Sequence, residues 1–138
     1  MRVLVPIDGS PTSEKALRFG VGFADNYDAD LDVVHITDQR DDASEEVVDA
    51  ARTVLLDAGA GASVDPELLE RPDLDGHGAE AKVGEHVLDL VEERGYDHVV
   101  MGRHGGAGRL EQLVLGSATK EVVTGSETPV TVVPYSSH

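Results

Sequence analysis

Four short stretches of this chain carry apolar, mostly β-branched residues at consecutive rather than alternate positions, and nothing else in the sequence constrains the fold as much. They are RVLVPI (Arg2 to Ile7), the VVHI that ends LDVVHI (Leu31 to Ile36), HVVM (His98 to Met101) and PVTVV (Pro129 to Val133). A half-exposed strand alternates apolar and polar side chains, whereas a continuous run has to be covered on both faces. The segments between these runs place apolar residues at helical spacing. Strands that alternate with helices of 10 to 15 residues need crossover connections, which are right-handed and return each strand parallel to the last. The expectation is an α/β fold: one domain over residues 1 to 138, with an open parallel five-stranded sheet and helices on both faces.

Local signals place the pieces. Asp8-Gly9 ends the first strand, Ser10 is placed to cap a helix with Pro11 at its first position, and Ala16, Leu17, Gly20, Phe23 and Ala24 follow at helical spacing. After the second strand, Asp38 to Asp42 is a solvated connection. Asp42 and Glu45 have capping-box spacing ahead of Val47, Val48, Ala51, Val54 and Leu55, and this helix runs to about Ala58. Ser63 to Glu70 (SVDPELLE) reads as a third strand, which Pro66 either confines to a sheet edge or demotes altogether. Val83, Val87, Leu88 and Val91 mark a third helix stopped by Gly95, and Ser117 to Thr124 a fourth closed by Gly125.

Composition removes several functions. Lys and Arg number 11 against 27 Asp and Glu, a formal charge of -16, so a basic interface for a phosphate backbone is excluded and no nucleic-acid partner is expected. The chain has no cysteine, which excludes a disulfide framework, a thiolate metal site and a Cys nucleophile. No apolar run approaches the roughly 18 residues of a membrane span, and Met1 leads directly into a strand, so a cytoplasmic protein with no membrane partner is expected. An acidic shell over an aliphatic core repels itself at low ionic strength and is screened within about 3 Å near 1 M salt. That suggests halophilic adaptation, with an ordinary acidic protein as the alternative.

In an open parallel sheet the ligand crevice lies beyond the carboxyl ends of the strands, where the strand order reverses. Two loops qualify: Asp8-Gly9-Ser10 after the first strand, and the glycine-dense GRHGGAG (Gly102 to Gly108) after Met101, which leads on to Gly116-Ser117. Glycines admit a ligand close to the main chain, and the free amides at a helix start attract an anion such as phosphate. Arg103 and Arg109 are the cations in the second loop. Neither G-x-x-x-x-G-K-[ST] nor a strand-linked G-x-G-x-x-G occurs, so a Walker-type nucleoside triphosphatase and a dinucleotide oxidoreductase are not indicated.

Taken together, VLVPIDGSPTSEKAL (Val3 to Leu17), VVHI (Val33 to Ile36), DHVVMGRHGGAGRLEQLVLGSATKEVV (Asp97 to Val123) and PVTVV (Pro129 to Val133) resemble the universal stress protein family over essentially the whole chain. The resemblance implies a Rossmann-like fold of the adenine nucleotide alpha hydrolase type and a stress-response regulator that binds ATP or AMP, with Mg or Mn accompanying the nucleotide. It implies that Asp8 and the main chain of Ile36 hold the adenine and ribose end, with Pro6 and Ile7 beside them. Met101 and Gly102 would line the ribose; Gly105, Gly116, Ser117 and the amide of Ala118 would hold phosphates, with Arg103 near them. It also implies a homodimer paired through Pro129 to Val133. The family signature reads Gly, two residues, Gly, nine residues, Gly, then Ser or Thr; here ten residues separate Gly105 from Gly116, so the loop is one residue longer. In place of the family's Gly-x-Pro-Ala-Glu turn before the third helix stands DLDGHGAEAKVGEH (Asp73 to His86).

No catalytic residue is assigned. Asp8 is the carboxylate of the first loop and lacks an obvious paired base, so a polar contact or a shared metal suits it better than general-base chemistry. Asp73, Asp75 and His77 make an acidic turn without the spaced ligands of a calcium loop. His35 is expected to be a packed strand-end histidine, and His104 either a pH-sensitive donor beside the phosphates or an exposed loop residue. Two alternatives to the regulator stay open: a slow Mg-dependent ATPase with Asp8 on the metal, and a structural stress protein whose longer loop no longer takes nucleotide.

Overall fold

The computed structural model describes residues 1–71, 79–103 and 117–134. Its strands are β1 (Arg2–Ile7), β2 (Asp30–Thr37), β3 (Glu67–Glu70), β4 (His98–Gly102) and β5 (Val130–Val133), interleaved with helices α1 (Pro11–Asn26), α2 (Asp42–Asp57), α3 (Ala79–Arg94) and α4 (Ser117–Gly125). All neighbouring strands are parallel in the order β3-β2-β1-β4-β5. The chain winds outward from β1 in one direction through β2 and β3, then returns to β4 on the other side, so the order reverses between β1 and β4.

The continuous apolar runs are explained by two cores. Val3, Val5, Val33 and Val100 pack on one face with Ala16 and Leu17 of α1 and Val54 and Leu55 of α2. Leu4, Val34, Ile36, Val99 and Met101 pack on the other with Val87, Leu90 and Val91 of α3 and Val122 of α4. A fully buried aliphatic side chain contributes about 1.5–3 kcal/mol, and Val3, Leu4, Val5, Leu17, Val34 and Val99 are all essentially inaccessible. Gly84 of α3 carries a close helix contact, since a Cβ there would stand 2.6 Å from Glu121 Cβ and 3.0 Å from Ala118 O. This brings α3 against the first turns of α4, in a region the sequence left without a template.

Ser10 caps α1 as expected: it is extended, its Oγ accepts the Ser13 N–H at 3.1 Å, and Pro11 follows at the first helical position. Two expectations need correction. The capping box of α2 lies one residue earlier than Asp42 and Glu45, because Asp41 takes the extended conformation at φ -144°. Its Oδ1 accepts from Ser44 N–H at 2.9 Å while Ser44 Oγ accepts from Asp41 N–H at 2.8 Å. Asp42 and Glu45 remain in the first turn, where their charge suits the helix dipole. The third strand is shorter than Ser63 to Glu70: it forms only after Pro66, at the β3 edge, over four residues. Pro66 cannot donate to a ladder, and Ser63 and Val64 turn back onto the Ala60 carbonyl instead.

The amino end of the sheet is closed by a polar cluster. The guanidinium of Arg2 lies 4.9 Å from the centre of the Tyr96 ring and 3.1 Å from Asp32 Oδ2, and it also caps α3 through the Arg94 carbonyl. Tyr96 donates its hydroxyl to Asp32, and Arg94 grips Glu67 in a two-pronged pair at 2.8 and 3.1 Å. Burial, reinforced by the bond to Asp32, pushes the Tyr96 phenol above its ordinary value.

Candidate functional site

At the carboxyl end, β1 gives way to a turn locked by its own side chains. Asp8 Oδ1 accepts from Ser10 N–H at 2.9 Å, Asp8 N–H donates to Ser13 Oγ at 3.0 Å, and the Ser10 cap closes the ring. The Asp8 carboxylate is exposed and its second oxygen stands clear of this ring. His35 Nδ1 lies 2.8 Å from the Ile7 carbonyl oxygen. That oxygen can only accept, so Nδ1 carries the proton and His35 ties the ends of β1 and β2 together. This is the packed strand-end role expected of it.

The end of β4 is equally constrained. A Cβ on Gly102 would meet Thr12 Cγ2 at 2.8 Å and the Thr12 carbonyl carbon and oxygen at 3.1 Å. Gly102 therefore lets the start of α1 lie directly on β4, a packing role that the sequence reading did not assign to it. Its carbonyl accepts from Thr119 Oγ1 of α4 at 2.7 Å, and the next residue, Arg103, donates its N–H to Val133 O at 2.8 Å. Ile36 and Met101 turn their side chains into the α3/α4 core, and Ile7 turns into the α1/α2 core. What these three present at the strand ends is main chain. Thr12 Oγ1 is wholly buried and, among the described residues, is the side-chain polar atom without a hydrogen-bond partner.

Strand order thus gathers at one end of the sheet residues far apart in the chain: Pro6, Ile7 and Asp8 from β1 and its turn, Ile36 from β2, Met101, Gly102 and Arg103 from β4, and Ser117 and Ala118 at the start of α4. Gly105, Gly116, His104 and Arg109 lie outside the described residues, as do Asp73, Asp75 and His77 of the acidic turn. Ser13, Thr12 and Thr119 were not singled out from sequence. The available signal was hydroxyl residues in the first turn of a helix that follows a strand. A recess of about 40 Å³ beside Gly9, Ser10 and Val47 has room for little more than a water. Among the described residues no group of three or more His, Asp or Glu side chains could hold a metal ion, and no helix is long and apolar enough to cross a membrane.

Comparison with known proteins agrees with the fold. A universal stress protein of Methanocaldococcus jannaschii is 28% identical over 96% of this chain and 93% of its own length. Among solved structures, a universal stress protein in complex with cAMP superposes with a TM-score of 0.75 at 23% identity, covering 99% of this chain and 98% of that one. A universal stress protein of Archaeoglobus fulgidus in complex with dAMP does so with a TM-score of 0.71 at 21% identity, covering 96% of this chain and 97% of that one. The fold is the Rossmann-like α/β fold of these proteins. The family model for universal stress proteins matches residues 1–134, and the chain belongs to the universal stress protein family.

Proposed function

We propose that this protein is a stress-response regulator that binds ATP or another adenine nucleotide in the crevice beyond the carboxyl ends of β1 and β4. The observation that carries this reading is the reversal of strand order between β1 and β4, which sets the Asp8 turn beside Gly102 and the start of α4. Solved relatives with the same fold hold dAMP and cAMP, which supports an adenine ligand. In this reading the main chain at Pro6, Ile7 and Ile36 and the Asp8 carboxylate take the adenine and ribose end, with Met101 and Gly102 against the ribose. Gly105, Gly116, Ser117 and the Ala118 amide take the phosphates at the dipole end of α4, and Arg103 offsets their charge.

The residues present fit such a ligand. The buried hydroxyl of Thr12 beside Gly102 lacks a partner, an unmet polar group at the floor of this end of the sheet. Among the described residues one Asp8 carboxylate oxygen has no hydrogen-bond partner, which suits a Mg or Mn ion that takes most of its ligands from phosphates and water rather than from a protein cage. Such an ion, when bound, would neutralise phosphate charge in a protein of net charge -16. We also propose a homodimer through β5, an edge strand with an open ladder.

Calorimetric titration with ATP and AMP, with and without Mg, tests the reading. Binding by the wild type and its loss in Gly116→Val, with the circular dichroism spectrum kept, is the expected result. Absence of heat with every adenine nucleotide, together with no nucleotide in the supernatant of denatured protein by mass spectrometry, would refute it.

A further inference from the structure

Pairing on the two sides of β1 is unequal. On the β2 side the register runs the whole strand, from Arg2 opposite Asp30 to Ile7 opposite His35. On the β4 side it covers only Val3 and Leu4, opposite His98 and Val99. Two bonds fix which backbone groups face which neighbour: Met1 O accepts from Asp30 N–H at 3.0 Å, and Arg2 O accepts from Asp97 N–H at 2.8 Å. Backbone groups alternate sides along a strand, so Met1, Val3, Val5 and Ile7 turn to β2, while Arg2, Leu4, Pro6 and Asp8 turn to β4. In β4, Val99 N–H donates to Pro129 O and Arg103 N–H to Val133 O. His98, Val100 and Gly102 therefore turn to β1.

Continuing the register would have Pro6 donate to Val100 O and Asp8 donate to Gly102 O. Pro6 has no N–H, so the first of these rungs cannot form. The second is diverted at its donor, since Asp8 N–H goes to Ser13 Oγ at 3.0 Å, while Gly102 O accepts from Thr119 Oγ1 at 2.7 Å. One hydroxyl comes from α1 on one face of the sheet, the other from α4 on the opposite face. Ser13 is 6% exposed and Thr119 4%, so water competes little for either bond. Proline is ordinarily kept out of central strands, and β1 is the central strand here.

We infer that Pro6 and Ser13 are positioning residues that take the donors of residues 6 and 8 out of the β1–β4 ladder, with Thr119 fixing α4 against Gly102, and that this gap in the ladder is the floor of the nucleotide crevice. The use of the gap rests on the nucleotide reading above; its existence does not. Paired strands approach to about 4.8 Å and would leave the main chain at Pro6 and Gly102 occupied with itself. The Thr119 bond also fixes the first turn of α4 against Gly102, which sets the direction of the amides that would meet an anion.

The test uses the full chain and two readouts. In hydrogen exchange without ligand, Pro6→Ala creates an amide that faces Val100 O; it is expected to be protected at least 100-fold, like a ladder amide. Thr119→Val is expected to speed exchange of the first α4 amides at least tenfold, and Thr119→Ser to restore it. In AMP titrations, Pro6→Ala and Thr119→Val are each expected to weaken binding at least tenfold with no loss of melting temperature in Pro6→Ala, and Thr119→Ser to recover it. A fully exposed amide at residue 6 together with unchanged α4 exchange in Thr119→Val overturns the gap. Wild-type binding that both variants keep within twofold overturns its role in the crevice. A wild type that binds no adenine nucleotide while the exchange results hold refutes the functional reading, along with the use assigned to the gap, and leaves the gap itself standing.

Discussion

Adding one methyl group at Gly102 gives a direct measure of how closely α1 is laid on β4. The new Cβ of Gly102→Ala would stand 2.8 Å from Thr12 Cγ2 and 3.1 Å from both the carbonyl carbon and oxygen of Thr12. The methyl contact alone can be relieved by a side-chain shift, but the two backbone contacts require the first turn of α1 to move as a unit, against its Ser10 cap and the Asp8–Ser13 bond. Overpacking of this kind costs about 1–3 kcal/mol. The two backbone contacts place the cost in the upper half of that range, about 2–3 kcal/mol, and removing glycine from the unfolded ensemble returns about 0.4–1 kcal/mol, so the net loss is about 1–2.6 kcal/mol, or roughly 3–10 °C in melting temperature for a chain of this size. Gly22 supplies the control: it lies in α1 with nothing within 4 Å of its would-be Cβ. Gly22→Ala is therefore expected to stabilise by about 0.5–1 kcal/mol. Urea unfolding followed by circular dichroism, with coincident thermal melts, reads both. The two variants should move in opposite directions. A Gly102→Ala protein as stable as the wild type would show that the helix is not seated on β4 as described and would refute the reasoning.

What could be read from the sequence, and what could not, divides by distance along the chain. The strands were legible because double-sided burial writes itself as consecutive apolar residues, and α1 because Ser10 caps the amide three residues on and Pro11 has its φ preset for the first helical position. The α2 cap was misplaced by one position because Asp41 and Asp42 are chemically identical, and only the extended backbone of Asp41 decides between them. Pro66 does both things the sequence allows it: β3 lies at an edge, and the residues before the proline stay out of the strand. The proposed site residues on β1, β2 and β4 could be listed from resemblance, but not the break in the β1–β4 ladder beside them. Pro6 has a neighbour on either side, and which one loses a donor depends on strand order and on the alternation set by Met1 and Arg2. The hydroxyls of Ser13 and Thr119 acquire meaning only after that. The Arg2–Asp32–Tyr96 cluster likewise joins residues separated by 30 to 94 positions, with no local pattern to announce it.

Three further outcomes are expected. If β5 pairs with a second copy, Val132→Pro should yield a folded monomer by sedimentation, because the Pro129 and Val133 carbonyls face β4 and the alternate residues Val130 and Val132 face the open edge; a wild type already monomeric at micromolar concentration would dispose of the dimer. With a net charge of -16, the melting temperature should rise steadily as KCl goes from dilute buffer to about 1 M, where screening acts within about 3 Å, and a flat profile would remove the case for halophily. The third concerns His98, whose ring stacks on Phe23 with centroids 4.6 Å apart and whose Nε2 lies 2.7 Å from Thr131 Oγ1 of β5. Burial holds this imidazole below its ordinary value of 6.5, so the folded protein keeps it neutral where the unfolded chain has begun to take up a proton. Between those two values the unfolded state binds more protons, and stability falls as pH falls. The contribution is complete above about pH 7, declines as pH drops through the unfolded-state value of about 6.5, and levels off below the folded-state value. Carboxylates titrate mainly below pH 5, so melting curves from pH 7.5 to 5.5 isolate the histidines. Subtracting the profile of His98→Gln, which keeps a polar group toward Thr131 but cannot titrate, isolates this one. The wild type should lose more stability than the variant over that window, and parallel profiles would mean that His98 exchanges protons as freely in the fold as outside it.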